Sequence, residues 1–198
     1  MTLWLASASP RRADLLTSVG VPFALLSAPD IDETPTTGET PGDYVLRMAI
    51  GKAAVGCAAP RVHADDWVLA ADTTVAVDGR ILGKPADSDQ AAEMLRLLSG
   101  REHRVLSAVT LSSSGRQWQA MSDTQVRFAE LEDTLIARYI ASGEPFGKAG
   151  GYAIQGFGAA LVTDLHGSYS GVVGLPLQQT VQLLQCVGVP FWQSASGS

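Results

Sequence analysis

The sequence predicts an α/β protein built on a mixed twisted sheet with flanking helices. Three observations carry that reading. Short apolar runs at Leu3–Ala6, Val21–Leu26 and Trp67–Ala71 alternate with amphipathic segments that open on Ser-Pro or Thr-Pro signals. Asp78-Gly79 is a two-residue turn of the kind that closes a β-hairpin. Val105–Leu111 and a run from about Trp118 to Phe128 flank Ser112-Ser113-Ser114-Gly115, as antiparallel neighbours do. At 198 residues, the chain is one domain or two small lobes sharing a core.

The first strand leads through Ser7 and Ala8 to Ser9-Pro10, where a hydroxyl is expected to cap an orphan amide and proline takes the first helical position. Leu15, Leu16 and Val19 form the apolar stripe, and Gly20 ends the helix. Arg11 and Arg12 fall at the positive end of the helix dipole, where a cation costs about 0.3–1 kcal/mol. Two readings stand at this point. The arginines are solvated beside Asp14, or they join serine hydroxyls and free amides in holding a phosphate.

Val21–Leu26 is the second strand, followed by the acidic loop Pro29-Asp30-Ile31-Asp32-Glu33. Loop acids ordinarily face water, and a site role for Glu33 stands beside that reading. Thr40-Pro41-Gly42-Asp43 opens a helix to about Cys57, with Val45, Met48, Ala49 and Ala53 on its buried face. Lys52 lies on or beside that stripe. Either its stem packs while the amine reaches water, or the ammonium enters a cleft.

Trp67–Ala71 reads as a strand buried on both faces and runs directly into Asp72-Thr73-Thr74. That places an acid at the carboxyl end of a buried strand, where open α/β sheets form ligand crevices. A carboxylate buried there without a partner is costly. Beyond Asp78-Gly79 the return strand carries Ile81-Leu82 and stops at Gly83-Lys84-Pro85. The hairpin brings Lys84 back toward Asp72, as an ion pair or as half of a site.

Asp87 and Gln90 resemble a capping box, opening a helix that buries Ala91, Leu95 and Leu98 and ends at Ser99-Gly100. His103 reads as a satisfied polar residue at a strand start. Leu131–Ala141 is amphipathic through Leu135, Ile136, Tyr139 and Ile140, with Gly143 as its cap. The glycines from Gly147 to Gly158 imply close backbone approach or positive φ, yet match neither the dinucleotide fingerprint nor the Walker loop. Leu161–Leu165 is a strand, Gly167–Ser170 a loop, and Leu175-Pro176 the start of a last helix to about Val187. A frayed polar tail is expected over residues 193–198.

The net charge of −6 and pI near 4.9 exclude a protein that coats nucleic acid, so any anion site must be local. No signal-peptide pattern and no apolar run near the ~18–20 residues of a membrane span are present, so no membrane partner is expected. Cys57 and Cys186 make neither a disulfide framework nor a zinc site; buried free thiols in a reducing cytoplasm are expected.

Taken in order, Ala6-Ser7-Ala8-Ser9-Pro10-Arg11-Arg12, Ala71-Asp72-Thr73, Gly83-Lys84-Pro85, Leu98-Ser99-Gly100, Ile154-Gln155-Gly156 and Gly174-Leu175-Pro176 resemble the Maf family of nucleoside triphosphate pyrophosphatases. The resemblance runs from Leu3 to about Leu184. It implies one Maf/ITPase-like domain of two lobes around a central cleft, a homodimer, and a divalent cation, Mg²⁺ or Mn²⁺. The implied reaction splits a nucleoside triphosphate into its monophosphate and pyrophosphate, a house-cleaning activity on nucleotide pools. Ser9, Arg12, Lys52 and Lys84 map to phosphate binding, Asp72 to the catalytic acid, and Glu33 with Asp72 to the metal. Arg11, Thr73 and Gln155 map to the positions that separate substrate subgroups. All three follow the branch acting on dTTP and UTP, not the branch acting on methylated GTP. A nucleotide-binding regulator of cell division without catalysis, and a pyrophosphatase for methylated GTP or otherwise modified nucleotides, are the other readings the resemblance leaves open.

The residue types suit that chemistry. Phosphoryl transfer is mostly positioning and charge stabilisation, and Arg11, Arg12, Lys52 and Lys84 are the cations a triphosphate needs. Glu33 and Asp72 would repel the substrate unless a hard metal intervenes.

Overall fold

The computed structural model describes residues 1–27 and 30–193. Its frame is a seven-stranded mixed sheet. The strands are β1 (Leu3–Ala6), β2 (Ala24–Leu26), β3 (Trp67–Val77), β4 (Arg80–Leu82), β5 (Glu102–Ser113), β6 (Arg116–Phe128) and β7 (Val162–His166). Their order is β2-β1-β3-β5-β6-β7, with β4 on β3. β1 runs parallel to β2 and β3, whereas β3, β5, β6 and β7 are successively antiparallel. The helices are α1 (Pro10–Ser18), α2 (Pro41–Cys57), α3 (Ser88–Leu98), α4 (Asp133–Ala141), α5 (Tyr169–Val173) and α6 (Leu177–Cys186).

The pairing of β3 is what makes room for a site. On one side β5 covers it from Val68 to Ala76 without interruption. On the other, β1 pairs only as far as Leu69, and β4 begins only at Val75. Residues 70–74 therefore lie at a fork, where one neighbour has ended and the next has not begun. Asp72 is there, inside an eleven-residue strand rather than at its carboxyl end. The polar triplet Asp72-Thr73-Thr74 marks the fork, not a strand end.

Alternation along β3 sends neighbouring side chains to opposite faces. On Asp72's face, α2 supplies Tyr44, Val45, Met48, Ala49 and Ala53 to two apolar clusters with Val68, Ala70, Ala76, Leu106 and Ala108. The other face carries two separate clusters. One joins Leu3, Leu5 and Leu69 to Leu16 of α1 and Leu183 and Leu184 of α6. The other joins Val75, Val105 and Phe128 to Leu95 and Leu98 of α3 and Ile136 of α4. Thr73 projects between these two clusters.

Local signals set most boundaries. Thr40 accepts the Asp43 amide at 3.2 Å, and Asp87 accepts the Gln90 amide at 2.8 Å. The Gln90 side chain reaches one residue further back than a capping box does, to the Ala86 amide at 2.8 Å. Asp78 and Gly79 take φ of 51° and 75°, the double positive turn that matches strand twist.

Several expectations change. Ser9 is the N-cap residue of α1, but its hydroxyl makes no capping bond. Ser7 Oγ instead accepts the Ser9 amide at 3.1 Å. β2 begins at Ala24, because its three pairs with β1 start at Trp4↔Ala24. Gly167–Ser170 is not simply loop: α5 starts at Tyr169, with Ser168 capping the Gly171 amide. Leu135 is exposed, and Cys186 is exposed rather than buried, with Cys57 half-buried. Burial raises the Cys57 thiol above its ordinary pKa. His103 is buried, bonding Tyr152 Oη through Nε2 at 2.9 Å, while Nδ1 has no partner among the described residues. The part of the acidic loop at Pro29 and the expected tail beyond Gln193 lie outside the described residues. Gln193 itself donates its amide to Gly20 O.

Candidate active site

A cleft of about 420 Å³ opens at the fork in β3. The β1–α1 turn forms one wall with Ser9, Arg11 and Arg12. Asp72 and Thr73 form the floor, with Lys52 arriving from α2 and Glu33 from the loop before it. Lys84 enters from the end of the hairpin, and Gln155 from the glycine-rich segment. All nine residues singled out in the sequence thus line one cavity.

Its centre is an ammonium held by two carboxylates. Lys52 Nζ stands 2.6 Å from Asp72 Oδ1 and 2.6 Å from Glu33 Oε1. Lys52 does not carry its amine out to water. It spans the interior edge of α2 to the fork, buried to 9% exposure like Asp72. Lys84 Nζ lies 3.5 Å from Glu33 Oε2 rather than on Asp72. Burial raises the Glu33 pKa, but the Lys52 contact and the Lys84 charge outweigh it and hold the carboxyl below its ordinary range.

The arginines are anchored by carbonyls at the end of α5. Arg12 donates from Nε to Gly174 O at 2.8 Å and from Nη1 to Ser7 Oγ at 3.2 Å. Arg11 donates from Nε to Val173 O at 3.4 Å. Burial lowers the pKa of both, and Asp72 and Glu33 oppose that shift at Arg12. A guanidinium stays charged regardless, so the cost of burial is real, offset in part by these carbonyls and, at Arg12, by the two carboxylates, and a bound anion would offset more of it.

Thr73 Oγ1 lies 2.8 Å from Ser107 Oγ and 3.4 Å from Gly174 O, which fixes it between β5 and the end of α5. Gln155 is exposed at the mouth of the cleft. Ser9 Oγ is not spent on its own helix and is available to a ligand. The cleft also contains Lys148 and Tyr152, which no sequence motif marked. The glycines surrounding Lys148 were the only signal that could have pointed to it.

Five cations against two carboxylates, gathered in one cleft of an acidic protein, define a polyanion site of the phosphoryl-transfer class. The model of the Maf-like proteins matches residues 2–187, and the chain belongs to the Maf family. It is 53% identical over 193 residues to a dTTP/UTP pyrophosphatase of Alcanivorax borkumensis, covering 98% of this chain and 99% of that one. A dTTP/UTP pyrophosphatase of Cereibacter sphaeroides is 49% identical, covering 99% and 100%. One of Ralstonia nicotianae is 54% identical, covering 92% of each. Among solved structures, a dITP/XTP pyrophosphatase of Mycobacterium abscessus covers 94% of each chain at 19% identity and a TM-score of 0.43.

Proposed function

We propose that this chain hydrolyses dTTP and UTP to the monophosphate and pyrophosphate. The observation that carries the reading is the Asp72–Lys52–Glu33 bridge at the floor of a cleft otherwise walled by cations. Three relatives of similar length bearing the name dTTP/UTP pyrophosphatase support the choice of substrate.

In this reading Asp72 orients a water toward the α-phosphorus and takes its proton. The water oxygen bonds to phosphorus, the bond from the α-phosphorus to the α,β-bridging oxygen breaks, and its electron pair leaves with pyrophosphate. Lys52 holds the carboxylate in place, and Arg12, Lys84 and Ser9 Oγ orient the phosphates. Gln155 and Thr73 offer neutral donors and acceptors to a pyrimidine edge, so that a mismatched base leaves a polar group unpaired.

The donor set suits a divalent metal. Glu33 and Asp72 each turn one oxygen to Lys52 Nζ, and the two carboxylates are the groups that would hold the ion beside it. Two carboxylates leave most positions to water and phosphate oxygens, the arrangement Mg²⁺ favours and Mn²⁺ accepts. When bound, the ion supplies charge that offsets repulsion between the carboxylates and the phosphates.

The continuous sheet supports reading the chain as a single Maf-like domain, its two free cysteines support a reducing cytoplasm, and the family resemblance supports a homodimer. Among the described residues no helix is long and apolar enough to cross a membrane. The test is a panel of ribo- and deoxyribonucleoside triphosphates with Mg²⁺, following monophosphate and pyrophosphate. The expected ranking puts dTTP and UTP first. No pyrophosphate from either, or a preference for methylated GTP, overturns the reading.

A further inference from the structure

The glycine-rich segment supplies part of the cleft lining, and two side chains outside the cleft hold its far end. Ala153 O accepts the Gly156 amide at 3.1 Å, so residues 153–156 form a turn with Gln155 at its third position. Tyr139 of α4 grips the turn where it begins. Its Oη accepts the Ala153 amide at 3.1 Å and donates to Glu144 Oε1 at 2.9 Å. Glu144 grips it where it ends, accepting the Phe157 amide on Oε2 at 3.0 Å and the Gly158 amide on Oε1 at 2.8 Å. Burial raises the Glu144 pKa, but those amides and the Tyr139 hydroxyl outweigh it and hold the carboxyl below its ordinary range.

The glycines of the turn answer to the same two side chains. A Cβ on Gly156 would fall on the Glu144 carboxylate, and one on Gly158 would lie 2.8 Å from Tyr139 Oη and 2.7 Å from Ala153 O. Neither glycine has a positive φ, so each supplies room rather than conformational freedom. The middle of the segment is held separately. Gly150, at φ +67°, packs so closely on Val75 that an added Cβ would meet it at 2.9 Å, and its amide donates to Gly83 O at 3.0 Å. That seats the 3₁₀ turn Ala149–Gly151, with Lys148 at its head, beside the hairpin that carries Lys84.

Tyr139 and Glu144 are absent from the cleft lining, whereas Gln155 belongs to it. Gln155 is exposed and takes its direction from the backbone that carries it. An amide that reads a base must be held within about 0.5 Å of its working position. We propose that Glu144 and Tyr139 are positioning residues for substrate specificity, holding the turn 153–156 so that the Gln155 amide meets the base. The proposal rests on the reading above that gives Gln155 to the pyrimidine edge.

The test is calorimetric binding, in Mg²⁺ buffer, of tripolyphosphate and of the α,β-imido analogue of dTTP, which resists hydrolysis. Tyr139→Phe keeps the buried ring and removes the hydroxyl. Gly156→Ala displaces the end of the Glu144 side chain without altering it. Each should weaken the analogue about 5- to 10-fold and leave tripolyphosphate, which has no base, unchanged. Gln155→Ala should show the same selective loss, and Tyr139→Phe added to it should lose nothing more. Additive losses in that double variant, or equal weakening of both ligands, would make the two side chains structural and overturn the proposal. A selective loss in Gln155→Ala with none in Tyr139→Phe or Gly156→Ala would overturn it too, while leaving Gln155 a base reader. If Gln155→Ala binds the analogue as the wild type does, the base reading fails and takes the proposal with it. Selective binding by a protein that hydrolyses neither dTTP nor UTP would sink the hydrolytic reading and leave the positioning role standing.

Discussion

Lys52 Nζ and Asp72 Oδ1 meet at 2.6 Å across the interface of α2 and β3, and both side chains are almost wholly buried. The pair exists because α2 covers the face of β3 on which Asp72 emerges, at the stretch 70–74 where β3 lacks a neighbour on its β1/β4 side. A buried pair of this kind adds little net stability, because desolvation consumes most of the attraction. Its consequence is positional: the carboxylate points to one place, with Glu33 beside it.

Removing the ammonium should therefore be costly twice over. Lys52→Met leaves Asp72 without its buried partner and Glu33 with only the longer contact to Lys84. Stability should drop by about 3 kcal/mol in urea titration, and kcat/KM for UTP by at least about 100-fold. Lys52→Met combined with Asp72→Asn should recover much of the stability but none of the turnover. Additive stability losses would show that the two side chains do not communicate.

Asp72→Asn alone separates chemistry from binding. The amide keeps the size and can still accept from Lys52, but it takes no proton. We expect kcat to fall by about 10²–10⁴ while the Kd for UTP changes little. Turnover close to that of the wild type would remove Asp72 from the reaction.

Specificity should move with the two uncharged polar side chains. Thr73→Gln with Gln155→Glu replaces both neutral groups assigned to the base. Thr73 is held by Ser107 and Gly174, so the longer side chain must project into the cleft. The preference for dTTP and UTP over purine nucleotides should shrink by about tenfold or more, read as kcat/KM across the panel. An unchanged ranking at lowered overall activity would mean that neither group reads the base.

The sequence exposed the residues that line the cleft more fully than the strand pairing that opens it. Ser9, Arg12, Asp72 and Lys84 were visible because each belongs to a short cap, strand or hairpin whose geometry is set within a few residues. The fork in β3 was not, because it depends on where β1 and β4 stop, which is a property of three separate segments. Asp72-Thr73-Thr74 reads locally as the end of a strand for the same reason. Ser7 was hidden behind Ser9: both hydroxyls suit the turn, and only the folded turn decides that Ser7 Oγ accepts the amide. Lys148 was lost among glycines, where side-chain periodicity carries no signal. The five-residue α5 is too short to present a stripe.

The glycine that seats Lys148 gives a stability test independent of catalysis. Gly150→Ala must adopt φ near +67° and press a methyl group into Val75. Strain and overpacking together should cost about 2–4 kcal/mol in urea titration. Gly143→Ala, also at positive φ but with open space around its Cβ, should cost less. Equal losses would show that φ alone matters and that the contact with Val75 does not fix the turn.

His103 makes stability depend on pH in a window of its own. It is enclosed by Phe128 and Tyr152, with ring centroids 4.9 and 5.5 Å away, and burial pushes its pKa down to about 4 from 6.5. The folded state thus resists a proton that the unfolded chain accepts. The associated stability is complete above pH 6.5 and is lost as pH falls toward 4, amounting to roughly 3 kcal/mol. Asp66, which holds the Thr2 amide and Trp4 Nε1, titrates in the folded state at about 2 and loses its contribution only as pH falls below its ordinary value of 3.8. The lowered Glu33 and Glu144 carboxyls likewise act below 4.5. Between pH 6.5 and 4.5 the slope should belong chiefly to His103. Urea midpoints of the wild type should fall across that range, and those of His103→Gln should stay nearly level. Parallel curves for the two proteins would mean that the buried imidazole is not the group being protonated.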